Sequence, residues 1–405
     1  MRVSYHARLV ATGLLVVAAL SIAGAESLIA QAKPAEKSDQ TQRADAQATI
    51  SLVDDLATGK PAAATLPIKW EHQDYIKAQA DKTYVPFTIA IEPGALTTSG
   101  LSLYLRVVKK GADAGPPPAP AKPEKDNKKD KDKAPLVTAQ SSYAFENLYL
   151  IDTPAPAAAT GAATATQPVR VSRAFAVPPG DYDVYLAVRE HGAPSQPAGS
   201  ASQGAGSAAA PATPAAPAAT PDTASTAAAP AATAKAGAIK QTISVPDLGN
   251  GELTTSSVIV AQKVDVLQTP LASDRQAENP YTFGQMKITP AAEPKFSKKD
   301  ELNVVFWIYG AGLDATTKKP DVNIDFKFYQ KSGDKETYFN KTDPQALNAQ
   351  TLPPSFDLAA GHQLPGSLAV PLTSFPEGDY RLEIELTDKT SSKTIKRDVT
   401  FTVTS

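Results

Sequence analysis

The clearest signal in this 405-residue chain is the sequence Phe375-Pro376-Glu377-Gly378-Asp379-Tyr380-Arg381-Leu382-Glu383-Ile384-Glu385-Leu386. A Pro/Gly turn leads into a run in which apolar and charged residues alternate, which is typical of a β-strand with one buried face. The pattern occurs again, without gaps, as Val177-Pro178-Pro179-Gly180-Asp181-Tyr182-Asp183-Val184-Tyr185-Leu186-Ala187-Val188. In both copies a tyrosine follows the turn, as in the tyrosine corner of immunoglobulin-like sandwiches. Tyr182 and Tyr380 are therefore predicted to be structural tyrosine corners of two sandwich domains.

Strand-like runs separated by polar turns surround each copy of the pattern. The first set covers residues 84–91, 101–107, 143–151, 169–177, 181–189, 239–245 and 256–264, and the second covers 282–289, 301–309, 322–329, 336–339, 367–372, 380–387 and 394–403. About seven strands are what one sandwich of this type needs. We therefore predict an all-β protein with two consecutive immunoglobulin-like antiparallel β-sandwiches, at residues 66–265 and 280–405, joined by a linker at 266–279.

Three tracts interrupt the first predicted sandwich, at residues 111–135, 153–167 and 193–237. They consist mainly of Ala, Pro, Thr, Ser and Gly, or of alternating Lys and acidic residues. Such compositions bury too little apolar surface to offset chain entropy, so we expect disordered insertions. Closing a longer loop adds little entropy, and one domain can carry all three. Residues 26–65 are predicted to be a polar N-terminal linker, apart from a short amphipathic turn around Ile50, Leu52, Val53 and Leu56.

The N-terminus has the pattern of a secretory signal peptide at residues 1–25. Arg2 and Arg8 precede an apolar run that ends in Ala23-Gly24-Ala25, a small-x-small cleavage site. A second cleavage site at residues 30–32 and an uncleaved membrane anchor remain open alternatives, because spanning becomes feasible at about 17 residues. We expect an extracytoplasmic protein, periplasmic or secreted, with no membrane span after signal cleavage.

Composition excludes several classes of chemistry. The chain has no Cys, which rules out disulfides, thiolate metal sites and thiol nucleophiles. Its formal net charge of −2 gives no electrostatic reason to expect a nucleic-acid partner. Beyond the signal segment, the histidines are His72, His191 and His362, and none has the spacing of a zinc site. With no Gly-x-Ser-x-Gly elbow and no phosphate loop, we predict no catalytic, cofactor-binding or metal-binding residue and no cofactor.

Two weaker metal signals and one group of aromatics stand out. Residues 388–392 match the Asp-x-Ser/Thr-x-Ser pattern of metal-dependent adhesion domains, but they lie between antiparallel strands, and residues 247–252 lack the ordered acid spacing of a calcium loop. Trp307 and Tyr309 share a strand face and, with Tyr281 and Tyr338, are candidate binding aromatics if exposed. Aromatic residues near strands are more often part of a core, so a structural role is the alternative.

The segments 279–284, 296–302 and 309–312, together with Phe375-Pro376-Glu377-Gly378-Asp379-Tyr380-Arg381-Leu382, resemble the C-terminal β-rich region of exported acidobacterial proteins. These include the von Willebrand factor A-related and Gly-Trp-x-Thr-Asp groups. Residues 245–248 and 253–257 fit the same pattern, and the resemblance covers about residues 66–110 and 238–405. This chain has neither the Gly-Trp-x-Thr-Asp motif nor an adhesion-type α/β domain, so the resemblance implies the immunoglobulin-like sandwich part alone and no catalytic residue.

The leading hypothesis for function is a non-enzymatic exported binding or scaffold protein that contacts a protein partner at the cell envelope through its sheets and loops. Strand addition at an open sheet edge is one mode of contact for such a protein. The alternative is a carbohydrate-binding module whose exposed aromatics hold a glycan. A third hypothesis is a hydrolase with an unrecognised site.

Overall fold

The computed structural model describes residues 36–79, 81–112, 114, 143–153, 167–191 and 234–405. This part of the chain is built from twenty β-strands and one α-helix, so the all-β prediction is confirmed. The predicted signal peptide and nearly all of the three predicted insertions lie outside the described residues.

The first sandwich consists of two antiparallel sheets. Sheet I contains, in spatial order, β5 (Phe145–Asp152), β4 (Gly100–Lys109), β7 (Gly180–His191) and β8 (Ala236–Val245). Sheet II has β3 (Thr83–Ile91) at its centre, with β6 (Val169–Val177) on one side and both β1 (Ile68–Gln73) and β2 (Ile76–Lys77) on the other. Their facing sides enclose an apolar core that includes Phe87, Leu105 and Leu186.

The second sandwich also consists of two sheets. Sheet III contains, in order, β11 (Thr282–Phe283), β12 (Met286–Pro290), β10 (Ile259–Val266), β14 (Glu301–Tyr309) and β18 (Leu364–Pro371), with β9 (Thr254–Thr255) against the end of β14. Sheet IV contains β13 (Lys295–Ser297), β20 (Lys393–Thr404), β19 (Gly378–Asp388), β15 (Val322–Ser332) and β16 (Lys335–Lys341), with β17 (Gln345–Leu347) beside β15. The β13–β20 pair is parallel. Phe306, Phe326 and Tyr380 lie in the core between the two sheets.

The boundary between the sandwiches differs from the prediction. The strand predicted at 256–264 was expected to end the first sandwich, but it corresponds to β10, which pairs with β14 of the second, as does the short β9 before it. Alternating hydrophobicity identifies a half-buried strand without identifying its partner, so the pattern could not assign these strands. The predicted linker at 266–279 consequently lies within the second sandwich, where it carries a short 3₁₀ helix, Ser273–Glu278.

The predicted N-terminal linker is also corrected, because it contains the helix α1 (Glu36–Ala57). Ile50, Val53 and Leu56 recur at helical spacing in its second half, whereas the first half is polar. An apolar stripe this short gives little stability to an isolated helix, and α1 depends on packing against the outer face of sheet I. Within the described residues, no helix combines the length and the apolar character needed to cross a membrane.

The elements form five layers in the order α1, sheet I, sheet II, sheet III and sheet IV. The outer faces of sheets II and III pack on each other through a third apolar cluster, here called the junction cluster. Its buried members are Ile76, Tyr84, Leu248, Ile259, Ala261, Tyr281, Ile288, Val305, Trp307 and Tyr309. The outer face of sheet IV carries cross-strand ion pairs instead, such as Lys327 with Glu385 at 3.1 Å.

Candidate functional site

Three of the four candidate binding aromatics are buried in the junction cluster. The exposed fractions of Trp307, Tyr309 and Tyr281 are 5%, 7% and 3%. Trp307 and Tyr309 point away from the core of their own sandwich, but the outer face of sheet II covers them. The condition of exposure is therefore not met at these three residues, and the alternative of a structural role describes them. Tyr338 lies apart from them on β16 and is 54% exposed, with its ring 5.9 Å from that of Tyr329.

Hydrogen bonds cross the junction alongside the apolar contacts. The hydroxyl of Tyr309 accepts a 3.1 Å bond from the backbone N–H of Lys77, and that of Tyr84 donates to the carbonyl oxygen of Pro280 at 3.1 Å. The Oγ of Ser257 accepts from the backbone N–H of Tyr75 at 2.9 Å. Buried polar groups are costly unless paired, so these bonds favour one relative position of the two sandwiches.

Asp74 is a buried acidic residue at the junction between the two sandwiches. Tyr281 donates to its Oδ2 at 2.8 Å, and the Nε2 of His72 lies 4.0 Å from the same oxygen. Burial raises the pKa of the Asp74 carboxyl above its ordinary value. Burial and the neighbouring Asp74 carboxylate also raise the pKa of Tyr281. The acid and the phenol thus form a contact between the sandwiches.

Tyr182 and Tyr380 occupy equivalent positions in the two sandwiches. The Tyr182 hydroxyl donates to the carbonyl oxygen of Pro178 at 2.9 Å, and the Tyr380 hydroxyl donates to that of Pro376 at 2.8 Å. A tyrosine hydroxyl bonded to the backbone a few residues upstream defines a tyrosine corner. The preceding turn needs glycine in both copies, because the residue two positions before each tyrosine has φ of 144° or 139°.

The two candidate metal loops are held by internal hydrogen bonds. The carboxylate of Asp388 accepts from the backbone N–H of Gly312 at 2.8 Å, from that of Thr390 at 3.0 Å and from the Ser391 hydroxyl at 2.6 Å. In the other loop, residues 247–252, two side-chain oxygens accept from backbone N–H groups two residues further on. Within the part of the chain that the structure describes, no three His, Asp or Glu residues are grouped as a metal ion would require.

The histidines do not come together. His72 lies in the junction beside Asp74, while His191 ends β7 and places its ring within 3 Å of where a Cβ on Gly100 would lie. The Nδ1 of His362 accepts a 2.9 Å bond from the backbone N–H of Asp357 in a surface loop. The three imidazoles therefore occupy separate local environments.

Two adjoining clefts lie beside β13; the larger has residues of both sandwiches in its wall, and the smaller has residues of the second sandwich alone. Their volumes are about 280 and 150 Å³, and they share Gln262, Lys295 and Phe296 in their walls. Several of their charged groups have partners, since Lys295 lies 2.7 Å from Glu293 and Asp300 accepts a 2.6 Å bond from the backbone of Ser297. These contacts occupy charged groups that a small polar ligand would otherwise bind.

The edge of sheet I formed by β5 is the best candidate for a binding surface. The backbone N–H of Thr153 bonds to the carbonyl oxygen of Ser99, which fixes the phase of the β4–β5 ladder. Odd-numbered residues of β5 bond to β4, so the even-numbered residues direct their N–H and C=O groups away from the sheet. No other strand of the described residues pairs with that side of β5.

On several open edges of the described strands, a nearby side chain hydrogen-bonds to the edge backbone. On β5 itself, the Oδ1 of Asn147 accepts from the backbone N–H of Leu148 at 2.8 Å. On β16, Asn340 does the same for Lys341 at 2.9 Å. The remaining examples are Arg173 to Ser172 on β6, Gln241 to Thr242 on β8, Gln345 to Ser367 on β18 and Arg397 to Lys396 on β20. Such bonds reduce the tendency of an edge to recruit another strand.

The second half of β5 differs from these protected edges. Leu150 is 56% exposed, and its even number places its backbone N–H and C=O on the outward side. An apolar side chain beside outward backbone groups is what an added strand recognises. This site is not among those predicted from the sequence. The run Leu148-Tyr149-Leu150 is the sequence feature that marks this site. In a strand with one buried face, apolar and polar residues would alternate, but all three residues of this run are apolar.

No family model and no curated protein matches the sequence. Solved structures show a distant similarity. A family 123 glycoside hydrolase from Clostridium perfringens is 11% identical, with a TM-score of 0.18 over 38% of this chain and 27% of that chain. Trypsin-activated alpha-2-macroglobulin from Escherichia coli is 10% identical, with a TM-score of 0.20 over 85% of this chain and 17% of that chain. Its native conformation gives a TM-score of 0.19 at 10% identity, over 85% of this chain and 16% of that chain.

These values limit what the similarity means. The chain spans at most 27% of the length of these structures. At such TM-scores the likeness carries no argument about function or family.

Proposed function

We propose that this chain is a non-enzymatic, exported binding or scaffold protein that contacts a protein partner at the cell envelope by strand addition at β5. The observation that carries the proposal is the open, apolar second half of β5 around Leu150. A partner strand would pair with the outward backbone groups of Leu150 and Asp152, and an apolar partner side chain would cover Leu150.

Two further features support a scaffold. The junction cluster and its hydrogen bonds hold the two sandwiches against each other, so that a rigid body presents the edge. The paired tyrosine corners support the assignment of both sandwiches to the immunoglobulin-like type. Export rests on the signal-like N-terminus and on the resemblance to exported acidobacterial proteins, and both belong to the proposal.

A proline at position 150 tests the proposal sharply. The Leu150 N–H points outward and makes no bond to β4, so Leu150→Pro removes a donor for the partner while leaving the β4–β5 ladder intact. The preceding residue, Tyr149, is already in a strand and tolerates a following proline. Val266→Lys is the matched control, because Val266 is 62% exposed on the other sandwich.

The experiment is affinity capture from envelope extract with the wild type and both variants, each checked for cooperative unfolding. We expect a specific partner that Leu150→Pro loses by tenfold or more and that Val266→Lys retains. Equal capture by Leu150→Pro, or repeated absence of any specific partner, would overturn the proposal.

A further inference from the structure

The face of sheet I that lies beneath α1 has the composition of a binding interface. Tyr104, Tyr143 and Tyr185 lie there together with Arg106 and Arg189. Tyrosine and arginine are the residue types most enriched at interface hot spots. We call this surface the helix-docking face, and its apolar members are Tyr104, Val108, Tyr143, Tyr185, Ala187 and Ala238.

Arg106 is the central charge of the helix-docking face and is only 1% exposed. Its guanidinium lies 4.4 Å from the ring centroid of Tyr143 and donates to the hydroxyl of Tyr104 at 3.0 Å. Its Nη1 lies 2.8 Å from the Oδ1 of Asp54 on α1. The same Nη1 donates to the carbonyl oxygen of Ala114 at 2.8 Å, but a buried cation is best compensated by an acid, so a helix that covers this face is favoured if it brings a carboxylate to that position.

A second acid anchors the other end of the contact. Asp45 of α1 forms an ion pair with Arg189 of β7. Arg189 lies opposite Ser102 in the β4–β7 ladder, four residues along β4 from Arg106, which corresponds to about 14 Å. Nine residues of helix rise by about 13.5 Å, so the spacing of Asp45 and Asp54 matches the spacing of the two arginines.

The two acids also flank the apolar stripe of α1. At 100° per residue, positions nine apart lie about half a turn from each other around the helix. Thr49 and Val53, the buried side chains of α1 among residues 43–57, lie between them on the face turned toward the sheet. A helix that fits this face therefore carries a narrow apolar stripe bordered by one acid on each side, nine positions apart.

The apolar cluster that holds α1 against sheet I is small compared with the cores of the two sandwiches. Its first half contributes polar residues, and an isolated helix of this kind is marginally stable in water. The core of the first sandwich lies on the opposite side of sheet I and does not include α1. If α1 left, water would hydrate Arg106, and the sandwich would keep its core.

We infer that α1 is a displaceable strap, and that the helix-docking face accepts a partner protein's amphipathic helix with an apolar stripe flanked by two acidic residues nine positions apart. In the structure α1 occupies the face as an intramolecular ligand, and its contacts define the chemistry of the partner. This inference goes beyond the proposed function, because the helix-docking face uses side chains of β4, β7 and β8 on the outer face of sheet I, whereas strand addition uses the backbone groups of β5.

Hydrogen–deuterium exchange on the unmodified chain tests the strap. Amides of α1 within residues 43–57 are expected to exchange at least a hundredfold faster than the paired amides of β4 and β7, because α1 opens without the sheets. Equal rates for α1 and the sheet would mean that the helix leaves only on global unfolding, and would overturn the inference.

Peptide binding to the full-length chain tests the recognition chemistry. The probe is a labelled synthetic peptide of residues 36–57, and the chain carries Asp45→Asn and Asp54→Asn to weaken its own strap. We expect the peptide to bind this variant at least tenfold tighter than it binds the wild type. Placing the same two substitutions in the peptide should weaken its binding by tenfold or more.

Asp55→Asn in the peptide is the matched control, because Asp55 pairs with Lys60, which follows α1 in the chain, and not with the sheet. This control peptide should bind like the unsubstituted one. Three outcomes would overturn the inference: no binding to a variant whose sheets still unfold cooperatively, equal binding of the doubly substituted peptide, or a wild-type dimer in which each copy's α1 fills the other copy's face.

Discussion

The hydroxyl of Tyr281 in the second sandwich donates a 2.8 Å hydrogen bond to the Oδ2 of Asp74 in the first. Both side chains are buried where sheets II and III meet. The aromatics that a binding module would display are thus used to hold two domains together. Three of the four aromatics on which the carbohydrate-binding alternative depends are therefore buried. The proposed function rests on other, exposed surfaces.

Asp74→Asn should change how stability depends on pH. Burial raises the folded-state pKa of Asp74 above the unfolded value of 3.8, so ionisation is penalised only in the folded protein. The penalty is absent well below pH 3.8, grows as the pH rises through the folded pKa, and is complete above it. Asn cannot ionise, and its oxygen can still accept from Tyr281. The stability of the variant relative to the wild type should therefore be higher at pH 7 than at pH 3.5.

Urea unfolding of both proteins at the two pH values measures this difference. The comparison with the wild type cancels the acid sensitivity of groups such as Glu383, whose pKa is lowered by bonds to Lys396 and Arg381 despite partial burial. A difference that is independent of pH would show that the Asp74 carboxyl is not desolvated in the junction.

The tyrosine corners should contribute similar hydrogen-bond energies in the two sandwiches. Tyr380→Phe and Tyr182→Phe each remove one hydroxyl that is bonded to a proline carbonyl, and each should destabilise its sandwich by about 1 kcal/mol. Tyr380→Ala also removes a fully buried ring and should cost about 3–5 kcal/mol. Denaturant unfolding measures both effects. Wild-type stability of both Phe variants would show that the corner bonds contribute nothing.

Gly366 should not tolerate a side chain. A Cβ at this position of β18 would lie 2.3 Å from ring atoms of Phe306 on β14, so Gly366→Ala forces the core to shift and should cost about 1–3 kcal/mol. Gly249→Ala is the control, since its nearest neighbouring atom would be 3.6 Å away and the change should stay within about 0.5 kcal/mol. Thermal unfolding that ranks the two variants equally would contradict the packing described for β18.

The asparagines on two edge strands should suppress self-association. Asn147→Ala and Asn340→Ala free the backbone N–H groups of Leu148 and Lys341. We expect the double variant to lose about 1–3 kcal/mol of stability at most and to form oligomers as the protein concentration rises. Light scattering over a concentration series measures this, with Thr337→Ala, exposed on the same β16, as control. Monomeric behaviour at all concentrations would argue against a protective role.

Strands and turns could be predicted well from the sequence where the pattern that specifies them lies within one continuous segment of the chain. Tyr380 and the alternation after it predict a half-buried strand because both follow from local geometry. The same alternation could not show that β10 pairs with β14, since strand pairing depends on residues distant in sequence. For Trp307 the sequence left a binding and a structural role open for a related reason, because a residue outside one core can be inside the contact between two domains.

Helix α1 shows a different limit. Its second half has helical spacing, but its stability comes from Arg106 and the tyrosines of sheet I, far away in the sequence. The candidate edge at Leu150 was missed because openness of an edge is a property of the assembled sheet. Composition alone therefore predicts neither the packing of α1 on sheet I nor the open edge at Leu150.

The most direct measurement is the exchange rate of the Leu150 and Asp152 amides in the complex with a partner captured from the envelope. The outward N–H groups of these residues exchange freely in the isolated chain if no strand covers them. Strand addition predicts that both slow by a hundredfold or more on complex formation, and that Leu150→Pro abolishes the complex. Unchanged exchange at both amides in a complex that protects a different surface would contradict the proposed binding site.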